Sequence, residues 1–181
     1  MSASLQLIQE LREKIGQAHD LGKKEFFRSS LLPLGIPRGS LVEVCGAQRT
    51  ERLVACLLEN PTLHCFWFER EQTVFPTGLH QRGVDLAKVT FGIVPEPFRA
   101  MREVLRKQLH EVVIAPHLFT EERVLRSLQL AAKDANAAVF LTDKTPKPAW
   151  ALSVQLEAFH DESGTLAVNV TKHRLAGISC G

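Results

Sequence analysis

Leu41-Val42-Glu43-Val44-Cys45-Gly46-Ala47-Gln48-Arg49-Thr50-Glu51-Arg52-Leu53 begins as an apolar, β-branched run, reaches a glycine and continues as a short amphipathic stretch. Strand, glycine, loop and helix in that order are the setting of a phosphate-binding loop. There, G-x-x-x-x-G-K-[ST] wraps backbone N–H groups around the phosphates, with a lysine on the terminal oxygens and a hydroxyl on Mg²⁺. Counting from Gly46, the second glycine position holds Glu51, the lysine position Arg52 and the hydroxyl position Leu53. A carboxylate at Glu51 would face the anion: two like charges about 4 Å apart at an effective dielectric of about 20 repel by about 4 kcal/mol. Glu also lacks the freedom of glycine at positive φ. The planar fork of Arg52 is not a compact ammonium, and Leu53 cannot hold a metal. Each charge-assisted bond lost removes about 1.5–3 kcal/mol. The stretch therefore reads as a degenerate phosphate loop without NTP hydrolysis; an ordinary strand-end turn at Gly46 is the other reading of the same residues.

Outward from this point, apolar runs alternate with helical patterns. Residues 4–18 carry Leu7, Ile8, Leu11, Ile15 and Ala18 at three- and four-residue spacing, which predicts an N-terminal helix. A polar connector (Gly22-Lys23-Lys24-Glu25) and Phe26-Phe27 follow, and a loop rich in proline and glycine fills 31–39. Helices are expected over 51–59, over Thr77–Arg82 with Gly83 as the cap, from Pro95 to about Leu109, and from Thr120 to about Asn136. His64–Phe68, Lys88–Val94, Glu111–Ala115 and Ala137–Thr142 read as strands buried on both faces. After the linker Lys144-Thr145-Pro146-Lys147-Pro148, the period changes to strict alternation over 152–158 and 166–170 around the turn Asp161-Glu162-Ser163-Gly164. That is an antiparallel hairpin appended to a parallel sheet. The expectation is an α/β protein with a doubly wound core at 31–181, preceded by an N-terminal helix and connector at 1–30.

Composition narrows the functions. The net charge of +2 on 181 residues gives no global field that would attract nucleic acid, so any basic patch must be local. Cys45, Cys56, Cys65 and Cys180 form no C-x-x-C pair and read as reduced thiols of a cytoplasmic protein. No stretch has signal-peptide or membrane-spanning character, so no membrane partner is expected. The histidines show no metal-ligand spacing, no Ser/Cys/His constellation suggests hydrolysis, and His117 after Pro116 stands alone in the sequence. Neither metal nor cofactor is expected.

Specific words then add a family. Gly35-Ile36-Pro37-Arg38-Gly39-Ser40-Leu41-Val42-Glu43-Val44-Cys45-Gly46 resembles the approach to the P-loop in RecA, "G-L-P-x-G-x-I-V-E-I-x-G". Cys65–Phe68 and Gly83-Val84-Asp85 are similar to its second strand and following "L-G-V-D". Leu152–Leu156 with Val170–Ala176 resembles its terminal hairpin, "A-S-V-R-L" and "V-V-K-N-K-I-A". The likeness spans roughly residues 33–177 and implies a RecA-like three-layer core with a mainly parallel sheet. The third strand departs from it: where the family has a metal-holding aspartate, Val112–Ala115 runs into Pro116-His117. Glu71, twelve positions before Gly83, matches the position of RecA's catalytic glutamate but reads as solvated surface.

Among degenerate RecA-like chains, this one resembles ImuA, the accessory protein of SOS-induced translesion-synthesis cassettes. It shares "P-R-G-x-L-x-E" (Pro37, Arg38, Gly39, Leu41, Glu43), "L-x-x-R-G-[VL]-D" (Leu79, Arg82–Asp85) and "V-x-K-x-R" (Val170, Lys172, Arg174). The resemblance implies a non-catalytic partner of RecA and of an inactive Y-family polymerase homologue, supporting a DnaE-type polymerase at lesions in the DNA damage response. The alternatives are a SulA-like cell-division inhibitor that binds FtsZ, and an atypical P-loop ATPase using Arg52 and Glu71. Two candidate surfaces follow. Leu7, Ile8, Leu11 and Ile15, with Phe26 and Phe27, would dock on a neighbouring protomer, as RecA's N-terminal helix does, or fold back on the chain's own core. Lys172, His173 and Arg174 would grip DNA phosphate or an acidic partner, or remain a solvated strand end. Arg99, Arg102, Arg106 and Lys107 read as a wet helical face.

Overall fold

The computed structural model describes residues 26–32, 34–119, 121–147 and 149–174, and the backbone of 178–179. The expected helix over 4–18, with Leu7, Ile8, Leu11 and Ile15, lies outside the described residues, as do Thr120 and Cys180.

Two short strands, β1 (Phe26–Phe27) and β2 (Ile36–Pro37), pair antiparallel at the entrance to the core. The main sheet is built from β3 (Ser40–Cys45), β4 (Cys65–Glu69), β5 (Val89–Ile93), β6 (Val112–Pro116), β7 (Ala138–Thr142), β8 (Val154–His160), β9 (Leu166–His173) and β10 (Ile178–Ser179). Its order is β10-β9-β8-β3-β7-β6-β4-β5. From β8 to β5 every neighbouring pair is parallel, and β9 and β10 add antiparallel pairing at one edge.

Side chains one apart on a strand point to opposite faces, and each central strand feeds two cores accordingly. Val42, Val44, Val112, Ile114, Ala138 and Phe140 face α1 (Arg49–Glu59) and α2 (Pro76–Gln81). Leu41, Val113, Ala115, Val139 and Leu141 face α3 (Phe98–Lys107) and α4 (Glu122–Ala135). The result is the three-layer, mainly parallel α/β core with a C-terminal hairpin that the resemblance to RecA implies. No helix among the described residues is long and apolar enough to cross a membrane.

The hairpin follows its alternation: Val154, Leu156 and Ala158 are buried, while Gln155 and Glu157 are not. Its turn is closed by Asp161, whose Oδ1 accepts from the Ser163 and Thr165 amides.

Three expectations are corrected. The strand read as buried over 88–94 is β5, the sheet's outer edge, with Ile93 61% exposed. Hydrophobic content marks a strand but does not say how many neighbours it has. The helix expected from Pro95 begins at Phe98 with Pro97 as its N-cap, as a proline at 97 disfavours helical backbone at the residue before it. It ends at Gln108, in the left-handed region at φ 53°, so Leu109 leaves the apolar stripe and is exposed. Phe27 belongs to the core at 2% exposure and Phe26 is 37% exposed, so only Phe26 of the pair is available to a neighbour. Cys45, Cys56 and Cys65 are free and buried; burial is the main cause that pushes the Cys45 thiol to about 12 and the Cys56 thiol to about 11, and it raises Cys65 as well.

Gly46 ends β3 at φ +92°, and a Cβ there would meet the Ala158 carbonyl oxygen at 2.5 Å. Gly164, at φ +78° in the hairpin turn, has nothing within 4 Å of the same position. Gly164→Ala is therefore expected to lose about 1 kcal/mol, the conformational term alone, in urea unfolding. Gly46→Ala adds backbone overlap and is expected to lose about 3 kcal/mol or more.

Candidate functional site

In open α/β sheets, ligands bind beyond the carboxyl ends of the strands, where successive connections leave to opposite faces. Here a groove of about 600 Å³ occupies that place. It is bounded by Glu69 at the end of β4, Pro116 at the end of β6, Thr142 at the end of β7, and Arg49 and Thr50 at the start of α1. Arg70, Glu71, Asp143 and Lys144 complete a mixed-charge rim, and Glu71 is exposed.

The glycine turn itself is short. The helix begins at Arg49, two residues before the expected start, which leaves only Gly46, Ala47 and Gln48 between strand and helix. The Gly46 amide donates to the Lys144 carbonyl at 3.1 Å and the Gln48 amide to the Ala158 carbonyl at 3.2 Å. Arg49 Nη1 donates back to the Gly46 carbonyl at 3.0 Å. Two of the turn's amides are thus held by neighbouring backbone.

The three positions aligned with the phosphate triplet diverge on α1. Glu51 does not point into a nest, so the repulsion expected there does not arise. Its carboxylate instead lies 3.3 Å from Arg82 Nη2 and 2.8 Å from His160 Nε2, linking the end of α2 to the hairpin tip. Arg52 is turned inward at 1% exposure, where Nη2 donates to Ser29 Oγ at 2.6 Å. Its Nε and Nη1 have no partner among the described residues. Leu53 is core and touches the groove floor.

Beneath the rim lies a cluster that the sequence reading missed. Glu43 is fully buried in the central strand. His117, far from standing alone, places Nδ1 2.6 Å from Glu43 Oε1 and is itself 2% exposed. The Lys147 amide donates to both Glu43 oxygens at 3.1 Å, and Gln155 Nε2 donates to Oε2 at 2.5 Å. Lys147 Nζ reaches the His117 carbonyl at 2.6 Å and Asp143 Oδ2 at 2.5 Å. For Asp143 burial is the largest single influence and acts upward, but the hydrogen bonds from Lys147 and the Lys144 amide together hold its carboxyl below the usual range. The signal was available: a lone acid inside an apolar strand has to be paired. Its partners sit 74 and 104 residues away, which no local pattern reveals.

The hairpin-end trio does not form one surface. His173 is buried at 3%, whereas Arg174 is exposed and lies 4.5 Å from the Trp150 ring centroid. Lys172 Nζ is engaged by the Ala149 carbonyl at 2.7 Å. Arg99, Arg102 and Arg106 line a separate groove between α3 and α4, with Arg106 paired to Glu103. Among the described residues no group of three His, Cys, Asp or Glu side chains is arranged to hold a metal.

Glu43→Ala would strand His117, Gln155 and the Lys147 amide in the interior, and is expected to lose about 3–5 kcal/mol in urea unfolding, with Glu43→Gln losing less. A pH dependence also follows. Burial pushes the His173 imidazole below its usual value, against hydrogen bonds that raise it, and His110 is lowered by burial and the neighbouring His64. Both shifts favour the neutral form in the fold, so their stabilisation is complete above the ordinary imidazole value of about 6.5 and is lost as pH falls through the lowered one. The urea midpoint is expected to drop between about pH 7.5 and pH 5, with a smaller drop in a His110→Gln, His173→Gln variant.

No protein-family model and no curated protein matches this chain, so its functional reading rests on its residues and geometry.

Proposed function

We propose that this chain is a non-catalytic, RecA-like accessory or scaffold protein of SOS-induced, error-prone translesion DNA synthesis, which binds RecA and the inactive Y-family polymerase homologue of its cassette in the cytoplasm. The observation that carries the reading is the fate of the glycine turn. Its Gly46 and Gln48 amides are bonded to Lys144 and Ala158, and the residues aligned with lysine and hydroxyl are directed into the core. A γ-phosphate would have to displace backbone hydrogen bonds and would meet no ammonium at the aligned position. The strand at the metal position, β6, ends in Pro116, and His117 behind it is committed to Glu43.

The words shared with ImuA, at Pro37–Glu43, Leu79–Asp85 and Val170–Arg174, support the partner assignment over a division-inhibitor role. Contact with DNA through RecA, and self-association through Leu7, Ile8, Leu11 and Ile15, are both compatible with this role.

Two measurements test the reading. Co-purification against RecA and against FtsZ is expected to retain RecA and the polymerase homologue; selective retention of FtsZ would replace the proposal with the SulA-like alternative. Titration calorimetry with ATP and Mg²⁺ is expected to show no heat of binding at micromolar protein. Saturable binding with turnover that Arg52→Ala abolishes would instead make the chain an atypical ATPase.

A further inference from the structure

Trp150 is 62% exposed, whereas the chain's other tryptophan, Trp67, is 4% exposed in the core. The indole is not left to drift. The Trp150 amide donates to Glu122 Oε2 at 3.1 Å, and Lys172 Nζ lies 3.4 Å from the Trp150 carbonyl and 2.7 Å from that of Ala149. The next two residues, Ala151 and Leu152, are fully buried and fix the segment to the sheet. Three separate elements meet here: the first turns of α4, the crossover into β8, and the end of β9.

Two guanidiniums rest on this ring, Arg174 at 4.5 Å and Arg126 at 5.0 Å from its centroid. Among the described residues neither has a carboxylate within ion-pair distance. Guanidinium forks match phosphate oxygens in a way that single point charges do not. Trp150, still 62% exposed with both guanidiniums in place, has surface left for the face of a base, and that face is free only in a single strand. On a chain of near-neutral charge, three cations, Arg126, Lys172 and Arg174, gather with one acid, Glu122, around the exposed indole.

We propose that Trp150 with Arg126 and Arg174 forms a platform for single-stranded nucleic acid, a base stacking on the indole and flanking phosphates held by the two guanidiniums, with Lys172 and Glu122 as braces. The platform is independent of the partner assignment above: it holds or fails whether or not RecA is retained.

The test is fluorescence anisotropy of a labelled oligothymidylate of about 15 nucleotides titrated with the full chain, read together with tryptophan emission. Binding is expected to quench the exposed indole. Trp150→Ala is expected to weaken affinity about tenfold or more, while Trp150→Phe, which keeps a ring, retains most of it. Arg126→Ala is expected to reduce the slope of log affinity against log salt by about 0.7, one phosphate contact on a single strand. Absence of binding overturns the proposal, as does affinity within about twofold of the original in Trp150→Ala. Equal affinity for a duplex of the same length, or displacement by polyglutamate as effective as by unlabelled oligonucleotide, would also overturn it, the latter by identifying an acidic polypeptide site.

Discussion

A carboxyl side chain in the middle of an apolar sheet is tolerated only when its surroundings supply hydrogen-bond partners for both oxygens, and Glu43 is that side chain here. His117 comes from the loop after β6, the Lys147 amide from the crossover after β7, and Gln155 from β8. One carboxylate therefore sets where three separate chain segments pass over the carboxyl end of the sheet. The crossover it holds is the same one whose Lys144 carbonyl accepts the Gly46 amide. Everything that shapes the groove rim, from the glycine turn to the end of β7, is placed relative to this buried acid.

The turn and the acid belong to one arrangement. With the crossover drawn close over β3, the space in which a longer phosphate loop would curl is occupied by backbone, and α1 starts two residues earlier than the sequence pattern suggests. Winding those residues into helix rotates positions 51–53 onto three different sides of it. Glu51 faces the hairpin tip, Arg52 the entry segment at Ser29, and Leu53 the core. The departure from the phosphate-loop pattern is thus more than a change of side chains; the local path differs as well.

Much of this architecture could be read directly from the residues, and the failures have physical causes. Unbroken apolar runs at Val112–Ala115 and Ala138–Leu141 predicted strands because both faces are covered. The hairpin was legible from its period of two and its Asp-Glu-Ser-Gly turn. The edge position of β5 was not, since composition reports burial tendency and not strand neighbours. Glu43 was visible as an anomaly, but its partners are joined to it only by topology. Trp150 lay between the linker and the hairpin, where no pattern singles it out, and its relation to Arg126 and Arg174 exists only once α4, the crossover and β9 are folded together.

The three interior cysteines carry a consequence for how this protein ages. Their sulfur atoms sit under strands and helix, in the protonated form that reacts slowly with oxidants and alkylating agents. Chemical damage at these sulfurs must wait for the sheet to part from α1, so the clock for oxidative inactivation is set by the opening of the fold and not by the oxidant. A bound partner that slows that opening would lengthen the protein's working life without touching a single thiol.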